Sequence, residues 1–125
     1  AGGRPLSEVC PPEMSDAFPE EFTVEAGDYC IVKPRFSAFF STQLDLLLRR
    51  LGVDTVILAG TTTPNCIRTT CYDALSLDYD VVVLSDCTSS VTDEVQSANL
   101  RDMARIGARI CTGAELPTLL GEARA

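Results

Sequence analysis

From Tyr29 onward, short uninterrupted apolar runs alternate with longer stretches in which apolar residues recur every three or four positions. Tyr29-Cys-Ile-Val-Lys33, Thr55-Val-Ile-Leu-Ala59 and Val81-Val-Val-Leu84 read as strands, the first closed by Pro34 and the second by Gly60. Arg109-Ile-Cys111 reads as a last, short one. Between them, Leu44, Leu47, Leu48 and Leu51 give Thr42–Leu51 the spacing of a helix that stops at Gly52. A second helix is predicted from about Asn65 to Leu77, with Ile67, Thr70, Cys71 and Ala74 on one face. A third opens at Thr92, a good cap with Asp93 and Glu94 in the first turn, and ends at Gly107. Thr112 is placed to cap a closing helix around Leu116–Leu120, where Pro117 fits only the first turn.

Apolar strands joined by helices imply a parallel sheet covered on both faces, with right-handed crossovers. The predicted fold is therefore α/β, a three-layer α-β-α arrangement around a mostly parallel sheet. Residues Ala1–Gly27 stand apart: they hold most of the prolines, show no apolar period and read as an extended loop segment. The 125 residues suffice for one domain but not two. No strand is predicted before Tyr29, so residues 1–125 read as a single domain that is incomplete at its N-terminal side.

Composition narrows the chemistry. Ten basic against eighteen acidic residues leave a net charge of −8, which argues against nucleic acid or an acidic membrane as partner. No apolar run approaches the roughly 18 residues of a spanning helix. Histidine is absent, which excludes Ser-His and Cys-His catalytic pairs and histidine metal sites built from this chain. The six cysteines, at positions 10, 30, 66, 71, 87 and 111, form no C-x-x-C pair. Several lie in apolar runs, as buried free thiols do, and a reduced, cytoplasmic protein is the expectation.

In open α/β sheets the working groups gather beyond the carboxyl ends of the strands. Three segments sit there: Lys33-Pro-Arg-Phe-Ser-Ala-Phe39, Gly60-Thr-Thr-Thr-Pro-Asn-Cys66 and Ser85-Asp-Cys-Thr-Ser-Ser90. Cys66 falls on the first turn of a helix, where free amides favour a thiolate and can hold a developing oxyanion. It lies about 100° from the apolar face to which Cys71 belongs. Cys66 thus reads as a nucleophile or as a further core residue, and position alone leaves both open. Lys33, the only lysine, ends a predicted strand; it is either a solitary rim charge or a cation beside a working thiol. Asp86 reads as the cap of the Thr88–Ser90 turn, and Asp73 as the partner of an arginine such as Arg68. Phe36, Phe39 and Phe40 suit either a small apolar pocket or plain core.

Taken together, Lys33–Phe39, Gly60-Thr-Thr-Thr-Pro-Asn-Cys66, Thr70-Cys-Tyr-Asp-Ala74 and Val81-Val-Val-Leu-Ser-Asp86 resemble the isochorismatase-like cysteine hydrolases. That superfamily includes nicotinamidases, N-carbamoylsarcosine amidases, ureidoacrylate amidohydrolases and isochorismatase itself. The resemblance runs from about Ser7 to Glu115, with the elements in family order. It implies a triad of Asp, Lys and Cys in which Lys33 matches the lysine and Cys66 the nucleophile. It also implies a cis peptide between Thr61 and Thr62, turning the Thr62 amide so that it and the Cys66 amide form an oxyanion hole. Of the three phenylalanines, Phe36 and Phe39 are the candidates, from the residues alone, for a substrate pocket. The implied chemistry is attack on the carbonyl of a small amide, carbamoyl or ureido compound, followed by hydrolysis of a thioester.

One departure matters. The family aspartate ends a strand upstream of everything matched, and neither Asp16, in a proline-flanked loop, nor Asp28, which precedes a strand, fits it. The chain therefore reads as the C-terminal part of such a hydrolase, its first strands supplied by a second polypeptide, lying outside these residues, or lost. No cofactor is expected; a nicotinamidase-type metal site would belong to the absent part. Oligomeric assembly, as a homo-oligomer, is implied by the resemblance. The rival readings are an isochorismatase, which cleaves a vinyl ether, and a catalytically incomplete pseudoenzyme that only assembles with partners. A zinc or disulfide module is a further one.

Overall fold

A computed structural model describes residues 21–123, and contact clustering divides the chain into two units, Ala1–Val32 and Lys33–Ala125. Asp16 and Cys10 lie outside the described residues. In the first unit the backbone turns at Glu25, whose carbonyl accepts from the amides of Gly27 (2.9 Å) and Asp28 (3.1 Å). The Asp28 carboxylate accepts in return from the Glu25 amide at 2.9 Å. The expected strand over 29–33 does not form: this run carries no ladder hydrogen bonds, and Tyr29 and Val32 are 63 % and 78 % exposed. Apolarity favours a strand only where a neighbour satisfies its backbone, and these residues have none among those described.

The second unit begins with an irregular segment and helix α1 (Leu44–Arg50), then β1 (Thr55–Thr61). A π-helical turn (Thr63–Ile67) runs into α2 (Arg68–Ser76), followed by β2 (Asp80–Ser89), α3 (Asp93–Arg105), β3 (Arg109–Cys111) and α4 (Leu116–Ala123). The predicted second helix thus starts earlier and wider than its period suggested. Pro64 sits in its first turn, where no amide is needed, and the Thr62 carbonyl accepts from both Asn65 (3.1 Å) and Ile67 (3.4 Å). Thr92 caps α3 as expected, its hydroxyl accepting from the Val95 amide at 3.2 Å. Thr112 and Glu115 close a capping box before α4, the Glu115 amide donating to Thr112 Oγ1 (3.3 Å) and the Thr112 amide to Glu115 Oε2 (2.8 Å).

The three strands are parallel in the order β1-β2-β3. β2 is the central strand, and Val81, Val82 and Val83 are at most 1 % exposed. Alternation sends Val81 and Val83 into a cluster with Ile67, Cys71, Ala74 and Met103. Val82 and Leu84 face the other way, onto Cys111, Leu116 and Leu119. Each fully buried valine contributes about 1.5–3 kcal/mol. β1 departs from the expectation of a fully buried strand: it is paired on one side only among the described residues, and Ile57 is 41 % exposed. No described helix is long and apolar enough to cross a membrane.

β2 also runs further than its apolar core predicted. Leu58 pairs with Val83 but Gly60 pairs with Thr88, so the intervening residues of β2 bulge outward. The Thr88 hydroxyl closes this bulge by donating to the Leu84 carbonyl at 2.9 Å. Asp86 therefore lies within the bulge and does not end the strand.

Candidate active site

β1 carries the chain upward through Gly60, whose φ of +121° is one that glycine adopts readily, to Thr61. The Thr61–Thr62 peptide is cis, and the π-helical turn that follows delivers Cys66, half-buried, just before α2. Thr63 locks this turn from beneath: it is fully buried and its hydroxyl donates to the Ser89 carbonyl at 3.1 Å. Gln96 of α3 in turn donates to the Thr88 carbonyl (3.2 Å) and hydroxyl (3.1 Å), fixing the end of β2 that holds Thr63. Arg68 ties the same turn sideways to α3, donating to Asn99 Oδ1 at 2.9 Å and pairing with Asp102 at 3.5 Å. The expected Arg68–Asp73 pair is thus replaced. Five residues apart on a helix, those two side chains are not neighbours, whereas α3 offers both an amide and a carboxylate.

Lys33 comes from 33 residues away in sequence, and its Nζ donates to Cys66 Sγ at 3.3 Å. It also donates to the Arg35 carbonyl at 3.2 Å. Because Tyr29–Lys33 is not a strand, Lys33 does not end one; it is exposed, on an irregular segment. That segment is pinned at Ala38, whose amide donates to Thr70 Oγ1 at 3.0 Å. Phe39 packs against the core, its ring centroid 5.8 Å from that of Tyr79. Phe36 is 59 % exposed. Phe39 borders an open apolar groove of about 330 Å³ with Leu48, Val56 and Leu58.

Cys71 and Cys87 are held in the thiol form. Burial pushes the Cys71 thiol up to about 11. Cys87 is also raised, by desolvation first and then by the neighbouring Asp86 charge. All five described cysteines are free. Asp86 does not cap the Thr88–Ser90 turn; its Oδ1 accepts from the Gly113 amide at 2.8 Å, which holds its carboxyl below the usual range. The bulge swings its carboxylate away from the turn and toward β3. Among the described residues no three His, Cys, Asp or Glu side chains gather into a metal site.

The sequence singled out Lys33 and Cys66, and the structure brings them together. It passed over the hydroxyls of Thr63 and Thr70 as contributors to the site. Thr63 was legible only as a letter of the Gly-x-x-Thr-x-x-Cys loop, and Thr70 only as one position on the apolar helix face.

Residues 3–115 match the family model for the isochorismatase domain. The chain is 51 % identical over 89 residues to a probable inactive nicotinamidase from Arabidopsis thaliana, covering 70 % of this chain and 45 % of that protein. It is 39 % identical over 101 residues to the maleamate amidohydrolase of Pseudomonas putida, covering 81 % of this chain and 43 % of that one. Among solved structures, an isochorismatase family protein from Desulfovibrio vulgaris superposes with a TM-score of 0.77 at 45 % identity, over 79 % of this chain and 52 % of that one. The chain spans about half the length of the relatives it matches.

Proposed function

Because the chain belongs to the isochorismatase family, we propose that it forms the nucleophile-bearing part of a cysteine hydrolase that cleaves the C–N bond of a small amide, carbamoyl or ureido compound. The observation that carries this reading is the 3.3 Å contact between Lys33 Nζ and Cys66 Sγ. An ammonium donating to sulfur favours thiolate, the attacking form. Cys66 Sγ adds to the substrate carbonyl, with the amides of Thr62 and Cys66 receiving the oxyanion. The C–N bond then breaks, the nitrogen leaves as ammonia or an amine after taking the thiol's proton, and water converts the thioester to acid and free thiol. Lys33 keeps its proton throughout. The carboxylate that shuttles the proton is an aspartate that no described residue supplies. It comes from a second polypeptide or from residues outside this chain, in a cytoplasmic homo-oligomer.

Two relatives named for amide hydrolysis, a probable inactive nicotinamidase and a maleamate amidohydrolase, support this substrate class. The word "inactive" in the first also favours a second reading, a pseudoenzyme that assembles with partners without turnover. The test is ammonia release from a panel of small carboxamides and ureido acids by the native assembly that carries the aspartate, with intact mass read for an acyl adduct. The expected result is an adduct on Cys66 and release that Cys66→Ala abolishes with its circular dichroism unchanged. Activity retained by Cys66→Ala would sink the nucleophile. Neither adduct nor release from the parent supports the pseudoenzyme, and vinyl ether cleavage without an adduct supports an isochorismatase.

A further inference from the structure

We infer that Thr70 is a positioning residue, the latch that holds Lys33 against Cys66. The inference rests on the reading of Lys33 and Cys66 as a working pair. Lys33 stands on an exposed stretch without strand pairing, so no ladder fixes its backbone. Its head group is on a long, freely rotating arm, and a solvent-exposed polar pair of this kind is too weak to order a loop by itself. Most hydrogen bonds of the segment are internal: Lys33 to the Arg35 carbonyl, the Phe39 amide to Ser37 Oγ at 3.1 Å, Thr42 Oγ1 to the Ala38 carbonyl at 2.6 Å. They shape the segment but do not attach it.

Attachment comes from α2. Thr70 lies four residues beyond Cys66, one helical turn along the same side, and is 7 % exposed. Its Oγ1 accepts the Ala38 amide at 3.0 Å. The π-helical turn therefore carries the thiol and the helix that continues it carries, four residues later, the acceptor that fastens the lysine's segment. The hydroxyl turns an irregular stretch into a fixed arm of the site. A valine there keeps the shape and removes the acceptor, leaving the Ala38 amide with nothing to bind.

The test is the rate at which iodoacetamide alkylates Cys66 in the full 125-residue chain at neutral pH, followed by peptide mass spectrometry. Lys33→Met is expected to slow it about tenfold, because the ammonium that donates to Cys66 Sγ is gone. Thr70→Val is expected to slow it about threefold in the parent and not at all in the Lys33→Met background, because it acts through the lysine. Thr70→Ser, which keeps the acceptor, is expected to react at the parent rate. Continued protection of the buried Cys71 verifies the fold of each variant; if Thr70→Val exposes it, Thr70→Ala against Thr70→Ser makes the same comparison. No effect of Lys33→Met overturns the working pair and the latch with it. A normal Lys33→Met effect with Thr70→Val at the parent rate, or with equal slowing in both backgrounds, overturns the latch alone.

Discussion

Replacing Cys71 by alanine is expected to make the chain less sensitive to alkali. Cys71 is wholly buried on the inner face of α2, and burial raises its thiol from 9.0 to about 11. Between those values the unfolded chain has released this proton and the folded chain has not. The native state therefore binds more protons, and stability falls as pH rises through the window. Two pH units correspond to roughly 3 kcal/mol in full, and to roughly 2 kcal/mol at pH 10.5. The alanine variant loses that dependence while keeping every other titrating group, including Tyr79, which is also raised by burial and by its hydrogen bond to Asp45. The assay is urea denaturation of parent and Cys71→Ala under reducing conditions at pH 7.5 and 10.5. A cavity offset common to both pH values is immaterial; the loss between them is expected to be smaller in the variant by roughly 2 kcal/mol. Equal losses in the two proteins would refute the argument that burial of this thiol is what links alkali to unfolding.

Two further outcomes follow from the packing and the charge. Met103→Ala, which empties a fully buried position between α3 and the sheet, is expected to cost about 2–5 kcal/mol by the same urea measurement. Asp86, whose carboxyl is lowered chiefly by the Gly113 amide, stabilises the fold above its ordinary value and loses that contribution as pH falls through the lowered one. Asp86→Asn is accordingly expected to flatten the acid limb of stability below about pH 4, and an unchanged limb would contradict it.

Much of the sheet was legible because its signal is local. Val81–Leu84 is apolar at every position, Thr92 precedes two acids, and Gly52 and Gly107 end their helices, so β2, α1 and α3 follow from neighbouring residues alone. The failures share a different cause. Among the described residues, Tyr29–Lys33 has the composition of a strand but no partner, and β1 has one partner where its apolarity suggested two. Pairing is a property of the assembled sheet, and composition does not carry it. The site divides in the same way: Cys66 and Lys33 stood out by type and place, while Thr63 and Thr70 act through single hydroxyls whose partners, Ser89 and Ala38, lie 26 and 32 residues away. No spacing rule connects such positions.

The outer side of β1 has a consequence for the chain in solution. Its sequence, Thr-Val-Ile-Leu-Ala-Gly-Thr, contains no charge, no proline and no lysine of the kind that natural edges use to repel a newcomer. Its outer amides and carbonyls, unpaired among the described residues, are a template for any extended, apolar segment that collides with it, another copy of itself included. The counterweight is not local. It is the surplus of acidic residues, a net −8, that slows such collisions from a distance, and salt weakens that repulsion without touching the edge.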